Sequence, residues 1–362
     1  MRLRVFTKSE WEEPPRIRHQ FARLMKKYGN EVIFYQKPRY FFRSSMVLND
    51  ESIQLERSAQ LIHHQLRLGV VLSFLNSLYE KYSIKKTVGN YFSNDLIVNF
   101  NYDYYFLRDI FPDNIIITVI NDDFVAQARF FDGYYAERLL EKTCLMSDDV
   151  LCVSKPLCEQ ARKWSSAKLF LPWTEKKYEP PKATTRRSVL FWAHINRRVE
   201  FSFIEFCAHR LPDVDFHLIG PVDDSVKSEL NHLVGTFTNI SYISSMSLDE
   251  INFDNYFSAI IPYKAGKKEI EAVTASNKTF QLLGKGMPLV VSGMPNFINS
   301  QAIVKVQNKE EFVSALLFCQ REFDGLQPTI RELVSENGFN ERYMQLLDIV
   351  ESLKSDSGKS LV

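Results

Sequence analysis

The sequence has almost no net charge: 45 lysines and arginines stand against 44 aspartates and glutamates, a formal +1 at pH 7. No broad field of one sign is present to draw nucleic acid or a strongly acidic partner, so electrostatic recognition has to be local. The five cysteines, Cys144, Cys152, Cys158, Cys207 and Cys319, contain no CxxC pair. An odd, scattered set in a long chain argues against a disulfide framework or a zinc site, and for buried reduced thiols in a cytoplasmic setting. Long apolar runs are missing too. The longest aliphatic stretch, residues 115–120, is far too short to cross a bilayer, and MRLRVFTKSEW lacks the apolar run of a signal peptide. Membrane contact is therefore expected to be peripheral. Glycine is sparse at 13 residues, with no GxGxxG motif, which weighs against an α/β nucleotide-binding enzyme of the sugar-nucleotide epimerase kind.

What the chain does have is enough apolar material for two domains: 362 residues, 45% hydrophobic, with 28 Phe and 16 Tyr. Strands are expected at 3–6, 31–35, 96–100, 115–120, 150–154 and 168–171, with a helix of 3.6-residue periodicity over 17–28 and a helix-rich tract at about 58–86. This alternation implies a parallel sheet with right-handed crossovers. The run PWTEKKYEPPKATTRR at 172–187 has no periodic apolar face and reads as a linker. The pattern then begins afresh, with strands at 188–193, 214–219, 240–243, 257–262, 289–291 and 303–306 between helices. The expected organisation is an N-terminal Rossmann-like domain over 1–171, the linker, a second over 188–338, and a C-terminal helix and tail over 339–362 crossing back to the first. An interdomain cleft is expected where the strand carboxyl ends face each other.

The most informative stretch is SNKTFQLLGKGMPLVV at 276–291. Ser276 and Asn277 are strong N-cap types, Gly284 and Gly286 can end a helix, and Pro288 stops its continuation before a buried strand. First-turn N–H groups carry partial positive charge, so with Lys278 beside them they can hold a phosphate. The same residues would equally make an ordinary capped helix.

Taken in order, several segments resemble GT-B-fold glycosyltransferases, specifically the family-4-type enzymes that build bacterial surface polysaccharides. Ile120–Phe124 (INDDF) is similar to their vDD(F/Y) segment, residues 149–157 (DVLCVSKPL) to a strand and helix start, and Phe216–Pro221 (FHLIGP) to F-x-L-I-G-P. Ile261-Pro262-Tyr263 resembles their (L/I)-P-Y, and 276–291 resembles S-N-K-x-F-E-x-L-x-x-G-x-P-V-V nearly position by position. The resemblance implies an α/β GT-B fold and transfer of a sugar from a nucleotide-sugar donor to a saccharide or lipid-linked acceptor, in capsule, exopolysaccharide or lipopolysaccharide synthesis. It implies no cofactor beyond the donor, no bound metal and no nucleic acid, with the protein cytoplasmic or peripheral at the inner membrane. Three positions depart from the pattern: Lys8 to Pro15 has no glycine-rich loop, Gln281 replaces a glutamate, and His194 stands where glycine is frequent.

A leaving diphosphate has to be met by converging cations and helix N-termini. The donor-binding residues implied are His194, Arg197 and Arg198 after the second half's first strand, Ser245 and Met246 near the base, Glu271 or Gln281 for the ribose, and Ser276, Asn277, Lys278 and Thr279 at the phosphates. Asp122 and Asp123, at a strand's carboxyl end, are the candidate catalytic carboxylates, unless one caps the following helix and the other is solvated. His19 is a further candidate, with a structural role as its alternative. QKPRYFFR at 36–43 places Lys37, Arg39, Tyr40 and Phe41 as acceptor or membrane contacts, or as an ordinary loop. Asp213-Val214-Asp215 has DxD spacing but precedes a strand, so a turn accounts for it better than a metal. Gln281 and the missing glycine loop also suit a catalytically silent relative acting as a binding or assembly partner.

Overall fold

In the computed structural model the described residues are 1–13, 16–40, 53–62, 69–89, 91–127, 132–175, 177–182 and 185–357. They form two compact units, one of Met1–Phe170 with Arg342–Val362 and one of Leu171–Glu341.

The first unit is built on seven parallel strands: β1 (Arg2–Phe6), β2 (Glu31–Tyr40), β3 (Gln54–Gln60), β4 (Leu96–Asn99), β5 (Ile116–Ile120), β6 (Asp149–Cys152) and β7 (Ala167–Leu169). Their order is β3-β2-β1-β4-β5-β6-β7. β4 (LIVN) and β5 (IITVI) are buried at every position, as strands covered on both faces must be. The helices are α1 (Ile17–Lys27), α2 (Gly69–Val88), α3 (Leu107–Ile110), α4 (Asp132–Met146) and α5 (Lys155–Ala161). α1 buries Ile17, Phe21, Leu24 and Met25, the positions at helical spacing.

The second unit has six parallel strands: β8 (Ser188–Trp192), β9 (Asp215–Ile219), β10 (Ile240–Ile243), β11 (Tyr256–Pro262), β12 (Leu289–Ser292) and β13 (Ile303–Val306), ordered β10-β9-β8-β11-β12-β13. Its helices are α6 (Phe201–Arg210), α7 (Lys227–Thr236), α8 (Lys268–Glu271), α9 (Asn277–Gly284), α10 (Lys309–Arg321) and α11 (Phe323–Glu336). α12 (Phe339–Ser357) follows, and within the first unit its Tyr343 stacks on Tyr28 at 3.8 Å while Gln345 Nε2 donates to the Leu169 carbonyl at 2.8 Å. Both units are Rossmann-like α/β layers, as the alternation of patterns in the sequence implied.

Three local differences have physical causes. β3 falls partly inside the tract expected to be helical; as an edge strand reading QLERSAQ it has no apolar signature. β2 runs on to Tyr40, because a register shift between Gln36 and Arg39 lets Pro38 sit in the strand without a ladder N–H. Residues 172–175 and 177–182, expected within a linker, pack as part of the second unit: Trp173 is fully buried, Tyr178 Oη donates to Gln327 Oε1 at 2.6 Å, and the Glu179 amide donates to the Gly284 carbonyl at 2.8 Å.

All five cysteines are buried and free. Burial pushes the Cys144, Cys207 and Cys319 thiols up to about 12, so they stay protonated and unreactive. Among the described residues no helix is long and apolar enough to cross a membrane.

Candidate active site

In a parallel sheet the loops leaving the carboxyl ends part company where the strand order reverses, and ligands bind there. In the second unit that point lies between β8 and β11. The loop after β8 is tied across it by backbone bonds: the Glu200 amide donates to the Pro262 carbonyl at 2.7 Å, and the Lys264 amide to the Arg198 carbonyl at 2.8 Å. Arg197 and Arg198 are exposed on this loop. Lys278, in the first turn of α9, reaches back to β11's end and donates from Nζ to Tyr263 Oη at 2.9 Å. Arg198, Tyr263, Lys264 and Lys278 are thereby brought to one side of the switch point, three of them basic: Arg198 and Lys264 on loops and Lys278 in a helix's first turn.

Two glycines permit this crowding. A Cβ on Gly220, after β9, would stand 1.9 Å from the Ala193 carbonyl oxygen. At Gly293, after β12, φ is +74° and a Cβ would stand 2.2 Å from the Tyr263 carbonyl oxygen. The second half of the chain thus has close backbone approach, although the opening loop of the first half lacks glycine.

α9 starts at the expected cap, and Gly286 and Met287 close its far end by donating to the carbonyls of Leu283 and Leu282. The cap itself uses up two of the candidates. The Thr279 hydroxyl accepts from the Ser276 amide at 3.0 Å and lies 2.9 Å from the Ser276 hydroxyl, and the Thr279 amide donates to the Ser276 carbonyl at 2.9 Å. Thr279 is fully buried. It therefore organises the helix start and has no amide to spare for a ligand, which leaves Asn277 and Lys278 as the first-turn residues facing outward, both half-buried.

The remaining candidates of this unit are spread around the same end of the sheet. His194 Nε2 meets Asp223 Oδ1 at 2.8 Å, latching the loops after β8 and β9 together. The Met246 carbonyl accepts from Trp192 Nε1 at 2.9 Å, which holds residues 244–247 over the end of β8 and leaves Ser245 exposed. Glu271 ends α8 half-buried, its carbonyl accepting from Asn296 Nδ2 at 2.7 Å, and Gln281 is half-buried on α9. Asp215 opens β9 and Asp213 precedes it in a turn, as expected of the DVD segment.

In the first unit the reversal lies between β1 and β4. Asp122 and Asp123 follow β5, one strand further on, and their roles divide. Asp123 Oδ1 accepts from the Ala126 amide at 2.8 Å, so this carboxylate caps the turn that follows. Asp122 is half-buried, accepts from the Asp123 amide at 3.0 Å, and acts electrostatically on Arg18. His19 is a correction to the sequence reading. It is fully buried between Trp11 and Phe34, its Nδ1 accepts from the Arg16 amide at 3.1 Å, and its Nε2 lies 2.9 Å from the Glu10 carbonyl. Burial lowers its pKa despite that carbonyl, so the ring is a neutral brace for the loop after β1 and not an acid or base.

Lys37, Arg39 and Tyr40 are likewise strand residues of β2 and not a loop; Arg39 is exposed while Lys37 and Tyr40 are half-buried. Phe41 lies outside the described residues. Sequence reasoning missed a buried cluster at the unit's switch point, where Lys8 Nζ donates to both carboxylate oxygens of Asp103 at 2.9 and 2.7 Å and lies 3.8 Å from Glu80. Lysine directly after the first strand was its one local signal. A cavity of about 540 Å³ lined by Arg2, Glu31, Phe92 and Asp95 sits at the opposite, amino end of this sheet, and its Asp95 is already held by Arg2 and Arg4.

No family model and no curated protein matches the chain. Solved structures do. Sucrose-phosphate synthase from Thermosynechococcus elongatus superposes with a TM-score of 0.72 at 12% identity, covering 98% of this chain and 99% of that one. HepE from Anabaena, in complex with UDP and glucose, gives 0.68 at 11%, covering 97% and 99%. WaaG, a glycosyltransferase involved in lipopolysaccharide biosynthesis, gives 0.63 at 11%, covering 96% and 99%. At such identities the likeness establishes the fold alone: this chain has the architecture of the GT-B glycosyltransferases, with two Rossmann-like units in one chain.

Proposed function

We propose that the protein is a glycosyltransferase that takes its sugar from a UDP-sugar, held by the second unit, and gives it to a saccharide or lipid-linked acceptor bound by the first. The observation that carries this is the meeting of Lys278, Tyr263 and the Arg198 loop at the β8/β11 switch point, where a diphosphate would be stabilised as it leaves. The complex of HepE with UDP and glucose supports the choice of nucleotide. In the reaction an acceptor hydroxyl oxygen bonds to the anomeric carbon, the bond from that carbon to the diphosphate breaks, UDP departs with the electron pair, and the hydroxyl proton passes to a base. Asp122 is the assigned base if configuration inverts, and it would support the cationic transition state if configuration is retained. WaaG supports a place in cell-surface polysaccharide synthesis, with Arg39 and Tyr40 on the acceptor or membrane side.

Calorimetric titration with UDP, GDP, ADP, TDP and CMP tests the donor. UDP binding that Lys278→Met and Arg198→Ala weaken is the expected result; no nucleotide binding at all overturns the proposal. Gln281, in place of a glutamate, favours the second reading of a silent binding partner. UDP-sugar binding without turnover on any acceptor would select it.

A further inference from the structure

Three consecutive strand ends of the first unit carry polar atoms that the fold buries and leaves without partners. Arg18 stands in the first turn of α1, which leaves the end of β1; its Nε is buried and hydrogen-bonds to nothing. Asn101, just after β4, is 4% exposed, and its Nδ2 has no acceptor. Asn121, just after β5, has a buried Oδ1 that accepts nothing. Asp122 is next in the chain, near enough to Arg18 for its charge to be felt. Arginines 16 and 18 differ in this respect: Arg16 is exposed and lies 3.9 Å from Glu13, whereas Arg18 makes no ion pair among the described residues.

An arginine half-hidden from water with its fork of donors unused is costly, and proteins avoid the cost by pairing. Burial lowers the guanidinium to about 10, with Arg16 adding to the shift and Glu13 and Asp122 opposing it, so Arg18 remains a cation at neutral pH. Two unused donors and one unused acceptor beside a carboxylate make a mixed set. The donors suit the oxygens of an anion, while Asn121 Oδ1 and Asp122 suit hydroxyl groups. We infer that the first unit's strand ends take an acceptor bearing both sugar hydroxyls and a phosphate or diphosphate group, with Arg18 gripping the phosphate oxygens and Asn101 assisting. This rests on the reading of the first unit as the acceptor side.

Such a phosphate has two sources: a soluble sugar phosphate, or the diphosphate of a lipid carrier. The full chain, held in saturating UDP so that the donor site is filled, is titrated with inorganic phosphate, with glucose 6-phosphate, and with phosphatidylcholine vesicles carrying farnesyl diphosphate. Binding of the soluble esters assigns the first source, and binding of the vesicles alone assigns the second. In either case Arg18→Gln is expected to weaken binding roughly tenfold or more, and Arg18→Lys by less, with UDP affinity unchanged. The melting temperature of Arg18→Gln is expected to hold or rise, because an unpaired buried charge is removed. Three results overturn the inference: no probe binds, binding survives Arg18→Gln unchanged, or Arg18→Gln melts several degrees lower. Loss of UDP binding by the unaltered chain would instead sink the donor reading, so the two failures are distinct.

Discussion

Replacing Lys278 with methionine keeps most of the side chain's length and removes an ammonium with three N–H donors, one of which goes to Tyr263 Oη at 2.9 Å. Two donors remain for diphosphate oxygens. Hydrogen bonds to charged groups contribute about 1.5–3 kcal/mol, and the half-exposure of Lys278 places it toward the lower end of that range. The expected loss of about 1.5–2 kcal/mol weakens UDP binding roughly ten- to thirtyfold. Tyr263→Phe leaves the ammonium but frees it to wander, losing one ordinary hydrogen bond of about 1 kcal/mol, or roughly fivefold in affinity. Because the tyrosine is argued to act through the lysine, its effect should vanish when Lys278 is already methionine. Calorimetry of UDP binding to the four proteins of the cycle, each checked by thermal melting, measures both terms. A Lys278→Met protein that melts normally and binds UDP within about twofold of the parent would show that the diphosphate is not held here. A full Tyr263→Phe effect in the methionine background would show that the two residues act separately.

Asp122→Asn is expected to lower turnover roughly a hundredfold or more with UDP affinity intact; unchanged turnover removes Asp122 as the catalytic carboxylate. Gly293→Ala places a Cβ 2.2 Å from the Tyr263 carbonyl at a φ of +74°, so stability should fall by at least about 1–2 kcal/mol and UDP binding should weaken with it; a variant with normal melting and binding would contradict the close approach. His19 and His217 both have pKa values lowered by burial, so below about pH 6.5 the unfolded chain binds more protons than the folded one. The stability their neutral forms contribute is present above that value and lost as pH falls toward the folded pKa values. Urea midpoints from pH 8 to 5 check the slope, which His19→Gln should flatten.

Much of the fold was legible because parallel strands buried on both faces announce themselves as near-continuous apolar runs, as in residues 96–99, 116–120 and 256–262. What failed was polar or edge structure. β3 buries only Leu55, Ser58 and Gln60 of QLERSAQ, two of them polar, and β2 continues through Pro38 only because a register shift frees the proline from the ladder. The stretch 172–187 read as a linker for want of periodicity, yet Trp173 is fully buried and Tyr178 bonds to Gln327, anchorage that no period reveals. His19, at the start of the first helix, was a catalytic candidate with a structural role as its alternative, and only the neighbouring backbone shows that both its nitrogens are engaged and the alternative holds.

The two candidate sites differed in legibility because of how far apart in sequence their parts lie. The diphosphate site proposed for the second unit draws on one helix start, where the Ser276–Thr279 cap and Lys278 lie within one turn, so it leaves a local signature. The acceptor site proposed for the first unit is assembled across the sheet. Lys8 meets Asp103 across 95 residues, and Arg18, Asn101 and Asn121 come from a helix start and two loops whose proximity depends on β1, β4 and β5 being neighbours. In the sequence Arg18 is one of five basic residues on the outward positions of α1, and its neighbours Arg16, Arg23, Lys26 and Lys27 are in fact exposed. Only desolvation separates it from them. That is why an unpartnered guanidinium, and not a motif, is the better guide to what this unit binds: motifs record groups close in the chain, whereas an acceptor site is read from the polar atoms that folding buries without satisfying.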